Sequence, residues 1–396
     1  MSSEPHHDPN NNPANNTSAT GLQSNQKTLV ISLVTLVIAA LIALFANDTA
    51  NLSAFRRLFG SSSAARSAVG PLSVSASASA SIAAGASTKA KMASDDSTVQ
   101  MKTPVYFLSH GGPSVMYDVD HPAYTKLGQI GREITTKVKP RAVVVFSAHW
   151  QGGRDTIYVN TAEMTDLIYE YVSVLDNIQK GVWADIDYSF YGFPDHYYKE
   201  KYPNVGSKEV AHKVLDLLKE AGIDAKGVKR GLDHGVWASF KCAFEPESNA
   251  LNVPIVQVSL FDTEDPNQHY RLGQAVARLR EENILIIVSG MAVHNLRDLR
   301  FTFGKPQPLP YAVSFDEALK EAATTKPEER EAAMANLLKR PDARQAHPSF
   351  EHLLPIHVGA GAAGADIGKR LWKFPEGSMS WSQYRFGEIG NASASL

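Results

Sequence analysis

The sequence has almost no cysteine: Cys242 is the only one among 396 residues. A single cysteine excludes an internal disulfide framework and a zinc site built from cysteine thiolates. Such sparse usage is typical of proteins from a reducing compartment. The thirteen histidines are more informative, because several of them stand in short and unusual sequence contexts.

The sequence also lacks an excess of charge of either sign. It contains 39 Lys and Arg residues against 41 Asp and Glu residues, which gives a formal net charge of −2. A surface that binds nucleic acid requires a basic excess, so no nucleic-acid partner is expected. The apolar content of 43% is instead typical of a chain that buries a core, and the length allows one large domain or two ordinary ones.

Charge is missing altogether from residues 28–46, TLVISLVTLVIAALIALFA. At about 1.5 Å per residue, this stretch is long enough to cross a hydrocarbon core of about 30 Å. A buried core helix is the alternative, but residues 1–27 are rich in Asn, Ser and Pro and are predicted to be disordered. Low-complexity sequence follows the stretch as well, so no neighbouring core is predicted to bury it. The sequence therefore predicts one transmembrane helix.

The charges that flank this helix predict its orientation. Lys27 precedes it, whereas Arg56, Arg57 and Arg66 follow it. This asymmetry places the C-terminal side in the cytosol. The predicted location is that of a single-pass membrane protein whose folded domain is cytosolic.

Residues 47–103 are predicted to form a tether rich in Ser and Ala. Arginines without acidic neighbours in such a stretch also resemble a mitochondrial targeting segment, which is an alternative location. Met92 stands just before the folded region, so an internal start at this residue would produce a soluble cytosolic form.

Strand and helix patterns alternate from residue 104 to about residue 390. Strands are predicted at 105–110, 142–149, 253–261 and 284–290, and helices at 122–138, 207–221, 267–282, 311–323, 327–339 and 350–358. Ser207 and Gly222 are predicted to start and stop the second of these helices. The alternation predicts one α/β domain over residues 104–390, with a central, largely parallel or mixed sheet flanked by helices.

Histidines stand at or just beyond the ends of three predicted strands. His110 ends the first strand in LSHGGPS, His149 ends the second in FSAHW, and His294 follows the strand that ends at Gly290. Each could be an isolated structural histidine. However, open α/β sheets bind ligands at the carboxyl ends of their strands, and neutral imidazole is a common ligand of transition metals. We therefore expect these three side chains to converge on a metal ion.

Two further histidine motifs stand close to predicted helices. His234, in GLDHGVWASF, lies on a turn before a helix, where an imidazole is suited to proton transfer; a simple helix-capping turn is the alternative. His352 lies with His347 and Glu351 in HPSFEHLLP. These three residues are predicted to support the metal ligands or to face the substrate.

Residues 187–203, DYSFYGFPDHYYKEKYP, are unusually rich in aromatic side chains. One interpretation is a loop packed on its own rings, and the other is a cover over a flat aromatic substrate. Tyr191 and Phe193 are the candidates for substrate contact.

Six motifs, LSHGGPS, FSAHW, FYGFP, LDHGVWASF, VHNL and HPSFEHLLP, occur in an order that resembles the class III extradiol ring-cleavage dioxygenases. Residues 104–387 look most like the 4,5-DOPA dioxygenase branch, which is related to the catalytic subunit of protocatechuate 4,5-dioxygenase. The resemblance implies that His110, His149 and His294 are metal ligands. It also implies that His234 is the acid–base residue or a further ligand.

The implied activity is the opening of the ring of a catechol such as DOPA, with insertion of both atoms of O₂ and with non-haem Fe(II) as cofactor. His234 would move protons during the reaction. Many ring-cleaving relatives use two histidines and one carboxylate, whereas the third group here is His294, and three imidazoles also suit Zn²⁺. A zinc-dependent hydrolase and a non-catalytic binding protein are therefore the alternative functions. Arg297, after VHNL, is a candidate for binding a substrate carboxylate.

A chain that begins at Met92 is expected to fold and to bind metal as well as the full-length chain, because no core-facing pattern precedes residue 104. Metal content and oxygen uptake with a catechol, measured on both chains, test this expectation. Insolubility of the shorter chain, or loss of its metal, would show that residues 1–91 are part of the folded unit.

Overall fold

The structure is a computed structural model that describes residues 102–169 and 194–390. Its strands are, in chain order, β1 (Val105–Ser109), β2 (Ala142–Gln151), β3 (Thr156–Asn160), β4 (Asp224–Val228), β5 (Ile255–Leu260), β6 (Ile284–Gly290), β7 (Val293–His294), β8 (Gly368–Trp372), β9 (Pro375–Glu376), β10 (Met379–Ser380) and β11 (Gln383–Phe386). Eight of them form one sheet in the order β4-β3-β5-β2-β6-β1-β11-β8. The short strands β7, β10 and β9 form a second sheet.

The centre of the large sheet is parallel. β2 pairs in parallel with β5 and β6, and β6 pairs in parallel with β1. Antiparallel pairings join β3 to β5 on one side, and β11 to β1 and β8 on the other. The carboxyl ends of β1, β2, β5 and β6 therefore lie side by side at one edge, which is where open α/β sheets bind ligands.

The helices are α1 (Pro122–Glu133), α2 (Lys208–Glu220), α3 (His234–Ala243), α4 (Pro266–Val276), α5 (Leu296–Thr302), α6 (Pro310–Thr324), α7 (Pro327–Leu337), α8 (Ala343–Ala346) and α9 (Leu354–Ala362). A π-helical turn follows α1 at Ile134–Val138, and 3-10 turns lie at Pro113–Met116, Tyr197–Lys199 and Ala277–Glu282.

The central strands are buried on both faces, because helices cover both sides of the sheet. In β1, Val105 and Phe107 pack into a core with residues of α2, α4, α6, α7 and α9. The alternate residues Tyr106 and Leu108 pack into a second core with α1 and α3. Continuous apolar strands are the expected consequence, since neither face meets solvent. The prediction of an α/β domain with a helix-flanked, mixed sheet is confirmed.

Several predicted boundaries also agree with the structure. The Ser207 hydroxyl accepts a hydrogen bond from the Val210 amide at 3.2 Å, and Gly222 adopts a φ of +72° just after α2. The helix predicted at 350–358 instead begins at Leu354. The short strands β3, β4 and β7 to β11 were not predicted. In β4, for example, the sequence DAKGV has no buried residue and so no apolar pattern.

The predicted transmembrane helix has to be corrected. No helix within residues 102–169 and 194–390 is long and apolar enough to cross a membrane. The longest described helix, α6, has 15 residues, whereas a span needs about 20. Residues 28–46, like the predicted segments 1–27 and 47–101, lie outside the described residues. The single-pass membrane location and the membrane as a partner are therefore withdrawn.

The contact between α1 and α3 generates a stability prediction. A β-carbon on Gly131 would lie 1.7 Å from the Ala243 carbonyl oxygen, whereas one on Gly128 would have its nearest neighbours at 3.5 Å. Gly131→Ala should therefore lower the free energy of unfolding by about 1–3 kcal/mol through overpacking. Gly128→Ala, on the same helix, is the matched control and should be neutral or stabilising by up to about 1 kcal/mol. Urea unfolding of both variants decides, and equal stabilities would contradict the close packing.

Candidate metal centre

Five histidines meet at the carboxyl edge of the parallel strands. His110 follows β1 directly, and His149 lies near the end of β2. The ring centroids of His110 and His149 are 5.0 Å apart, and those of His149 and His352 are 4.8 Å apart. His234 lies 3.9 Å from His149, and His294 lies 3.6 Å from His352, again between ring centroids. The fold thus gathers imidazoles from five separate parts of the sequence.

Three of these rings direct nitrogens at one point. The Nε2 atom of His149 lies 3.2 Å from Nε2 of His110 and 3.2 Å from Nε2 of His352. Two imidazole nitrogens bound to one tetrahedral metal ion, at about 2.0–2.1 Å from the metal, lie about 3.3 Å apart. The spacing therefore fits a metal ion held jointly by His110, His149 and His352.

Hydrogen bonds on the far side of two rings orient these nitrogens. The Ser289 hydroxyl donates to the Gly235 carbonyl oxygen, so its oxygen accepts from Nδ1 of His110, 2.9 Å away. In the same way, Nδ1 of His352 donates to the Glu351 carboxylate at 2.9 Å. A proton on Nδ1 leaves the Nε2 lone pair free to bind a metal. Both neighbours of His149 are thereby fixed in the tautomer that a metal ligand requires.

Burial favours the neutral form of the His110 ring. Burial, followed by the neighbouring His149 and His352 rings, holds the pKa of His110 well below its usual range. Burial alone would raise the pKa of Glu351, but the hydrogen bond and the charge of His352 outweigh it and lower that pKa to about 2. A neutral imidazole and an ionised carboxylate are the forms that bind and support a cation.

His294 lies at the same edge, beside His352, and its predicted role as a metal ligand remains a prediction. Its ring stacks on that of His352 at an interplanar angle of 14°. Its ligand atom groups with those of Glu351 and His352, all within 4.8 Å of one another, rather than with the three Nε2 atoms. His352, which was expected to support the ligands or to face the substrate, instead supplies one of the three converging nitrogens.

No strand or helix pattern in the sequence indicated this role of His352. Residues 350–353 precede α9 and pack over the end of β6, where the Met291 amide donates to the His352 carbonyl oxygen at 2.9 Å. His347 is fully buried, with Nε2 at 3.1 Å from the Ala292 carbonyl oxygen. The adjacent acid–histidine pair, Glu351 and His352, was the available signal, because metal-binding histidines commonly pair with carboxylates.

His234 is buried and not at an exposed loop tip. It is the first residue of α3 and only 3% exposed, and its ring is inclined at 45° to that of His149. Gly235 follows in close contact, since a β-carbon there would lie 2.8 Å from Cδ2 of His149. The ring of His234 therefore lies beside that of His149, and the sequence predicted that His234 exchanges protons there. That role remains a prediction.

The other candidate residues lie elsewhere. Tyr191 and Phe193 fall outside the described residues, so their predicted contact with a substrate remains a prediction. Arg297 is exposed in the first turn of α5.

Comparison with known proteins identifies similar chains. A family model described as the catalytic LigB subunit of aromatic ring-opening dioxygenase matches residues 103–387. The 4,5-DOPA dioxygenase extradiol of Beta vulgaris is 34% identical over 291 residues, which are 71% of this chain and 95% of that protein. The 4,5-DOPA dioxygenase extradiol-like protein of Schizosaccharomyces pombe is 33% identical over 67% of this chain and 86% of its own length.

A solved structure is similar as well. The crystal structure of an uncharacterized protein from Escherichia coli K12 superposes with a TM-score of 0.55 at 26% sequence identity. The match covers 72% of this chain and 100% of that one. Together, these matches confirm the resemblance that was drawn from the six sequence motifs.

Replacement of Glu351 tests how the metal position is built. Glu351→Gln keeps the size of the side chain but removes the charge that supports His352. We expect metal affinity to fall by about 10–100-fold, the usual cost of losing such a partner. Isothermal titration with Zn²⁺ measures the change, and Glu220→Gln, at an exposed ion pair with Arg278, is the control. Unchanged affinity in Glu351→Gln would mean that His352 needs no carboxylate.

Proposed function

The chain belongs to the family of the catalytic LigB subunit of aromatic ring-opening dioxygenases, and on this premise we propose that it is an Fe(II)-dependent extradiol enzyme that opens a catechol such as DOPA. It is a dioxygenase, so a small aromatic compound and O₂ are its substrates. The relative from Beta vulgaris is named 4,5-DOPA dioxygenase extradiol, and this name supports a catechol amino acid such as DOPA as the substrate.

The convergence of three Nε2 atoms is the observation that carries the proposal. His110, His149 and His352 would hold the metal, and His294, stacked on His352, would serve as the fourth protein ligand. When bound there, Fe(II) would supply the redox chemistry that O₂ activation needs, which Zn²⁺ lacks. The lowered pKa of His110 favours its neutral form, and the hydrogen bonds to Ser289 and Glu351 direct the Nε2 atoms of His110 and His352 toward the metal position.

The remaining histidine supplies acid–base chemistry. A catechol must lose protons to bind as an anion, and ring opening requires a proton to be returned to an oxygen. His234 would accept and return that proton, since its ring lies 3.9 Å from the His149 ring and belongs to neither group of ligand atoms. Its position at the first turn of α3 fixes the ring relative to the metal ligands.

Metal analysis combined with oxygen uptake tests the whole proposal. Protein loaded anaerobically with Fe(II) should consume one O₂ per catechol and produce a semialdehyde that absorbs in the near-ultraviolet or visible range. Activity that needs Zn²⁺ and consumes no O₂ would instead indicate a hydrolase. Metal binding without turnover of any catechol would indicate a binding protein.

The roles of the histidines predict two classes of variant. His110→Ala, His149→Ala and His352→Ala should each lose metal and activity together. His234→Ala should keep iron and bind catechol, yet lose about 10²–10⁴-fold in turnover, the usual cost of removing a general acid–base group. His212→Ala, on the exposed side of α2, is the control and should match the parent protein.

Iron content of these variants decides between the roles. If His234→Ala loses iron as completely as His149→Ala, His234 is a ligand and the proton moves by another route. If His352→Ala keeps its iron and His294→Ala does not, the originally predicted set of His110, His149 and His294 is the correct one.

A further inference from the structure

His149 lies where the regular sheet pairing of β2 is interrupted. β2 pairs with β5 as far as Phe146 and resumes only at Gln151, and its pairing with β6 ends at Ser147. His149 therefore lies in the stretch of β2 where the register with β5 shifts. Its Nε2 atom is the one that lies 3.2 Å from the Nε2 atoms of both His110 and His352.

Two side chains bond to the backbone of His149. The His149 amide donates to the Ser147 hydroxyl oxygen at 3.2 Å, and the His149 carbonyl oxygen accepts from Nη2 of Arg230 at 3.2 Å. Both contacts lead to one carboxylate. The Ser147 hydroxyl donates to Oδ1 of Asp233 at 2.7 Å, and Nη1 of Arg230 donates to Oδ2 of Asp233 at 3.0 Å.

Asp233 occupies a position from which a side chain ordinarily accepts a hydrogen bond from an amide in the first turn of a helix. It is the N-cap residue of α3, yet its carboxylate makes no capping hydrogen bond. The N-cap residues Ser207 and Asp265 do bond to the amides of α2 and α4. The Asp233 carboxylate is fully buried and also accepts from Gln257. Its contacts therefore serve the His149 segment and not the helix it begins.

The charge of Asp233 fits this arrangement. Burial would raise its pKa, but the Arg230 guanidinium, His149 and two side-chain hydrogen bonds outweigh burial and keep that pKa below its usual range. Arg230 is held in turn by its stacking over Trp150, with 4.7 Å from the guanidinium carbon to the ring centroid. An ionised carboxylate and a guanidinium form a pair with directed geometry, which suits the positioning of a third group.

We propose that Asp233 is a positioning residue that sets His149 in the metal centre through Ser147 and Arg230. Because His234 follows Asp233 in the chain, the same carboxylate also fixes the separation between His149 and His234. The carboxylate of Asp233 contacts Ser147 and Arg230. It acts through the hydrogen bonds that these two side chains make to the backbone of His149.

The test uses metal binding, so it does not depend on turnover. Ser147→Ala removes the acceptor of the His149 amide, and Arg230→Lys keeps the positive charge but loses the fork that reaches both Asp233 and the His149 carbonyl. The first substitution removes a contact of the His149 amide, and the second removes a contact of the His149 carbonyl oxygen. We expect each to weaken Co²⁺ binding by about 10–100-fold and to shift the visible absorption bands of bound Co²⁺ in the same direction.

Asp233→Asn should produce the largest shift, because it weakens both contacts at once. Asp265→Asn, the same change at the N-cap of α4, whose carboxylate accepts from the Asn267 and Gln268 amides, should leave the Co²⁺ spectrum and affinity unchanged. The double variant Ser147→Ala/Arg230→Lys should lose less affinity than the product of the single effects, since both act through His149. Should Asp233→Asn fail to fold, the other variants still carry the test.

Two results would overturn the proposal: an unaltered Co²⁺ spectrum and affinity in Ser147→Ala and Arg230→Lys, or a lowered melting temperature with an unaltered spectrum. The second result would assign the network to stability alone. The proposal rests on the metal centre described above, but the two are distinguishable. A protein that binds Co²⁺ with these shifts and cleaves no catechol would refute the proposed function and leave the role of Asp233 intact.

Discussion

The approach of three imidazole Nε2 atoms within hydrogen-bonding distance is the constraint on which the functional part of this structure depends. Such a cluster is unfavourable when the rings are protonated, because buried positive charges repel one another and lose hydration. Burial and the neighbouring rings hold the pKa of His110 well below its usual range, which keeps that ring neutral. Ser289 and Glu351 hold the Nδ1 atoms of His110 and His352. These side chains therefore direct the lone pairs of the Nε2 atoms toward one another. A bound divalent cation would offset the repulsion between those lone pairs.

The topology of the sheet supplies the elements for this arrangement. β2, β6 and β1 are neighbours and run in the same direction, so the residues that follow them must emerge close together. α3 begins at the same edge. Its first turn contributes the His234 ring and the Gly235 carbonyl oxygen that accepts the Ser289 hydroxyl. The strands and the helix that carry these groups are themselves packed into the two cores.

The parts of the site that follow from strand ends could be predicted from the sequence. The convergence of His110 and His149 could be predicted from the apolar runs that precede them and from the rule that neighbouring parallel strands end at one edge of the sheet. The place of His352 could not be predicted, because the contact between residues 350–353 and the end of β6 joins positions about sixty residues apart and has no periodic pattern. The same reason applies to Asp233, whose sequence reads as a helix cap while its carboxylate serves another element.

The first turn of α3 links metal binding to folding. Asp233 accepts from Ser147, which bonds to the His149 amide, and the His234 ring lies beside that of His149. The Gly235 carbonyl oxygen accepts from Ser289, which also bonds to His110. Fraying of this turn would release several supports at once, so the metal-binding form and the fully formed helix are one thermodynamic state. A cation that binds only this state raises the free energy of unfolding by RT ln(1 + [M]/Kd). Opening of the first turn of a helix normally requires little free energy. Opening of this turn in α3 would also require the metal to dissociate, so its free energy would include that of dissociation.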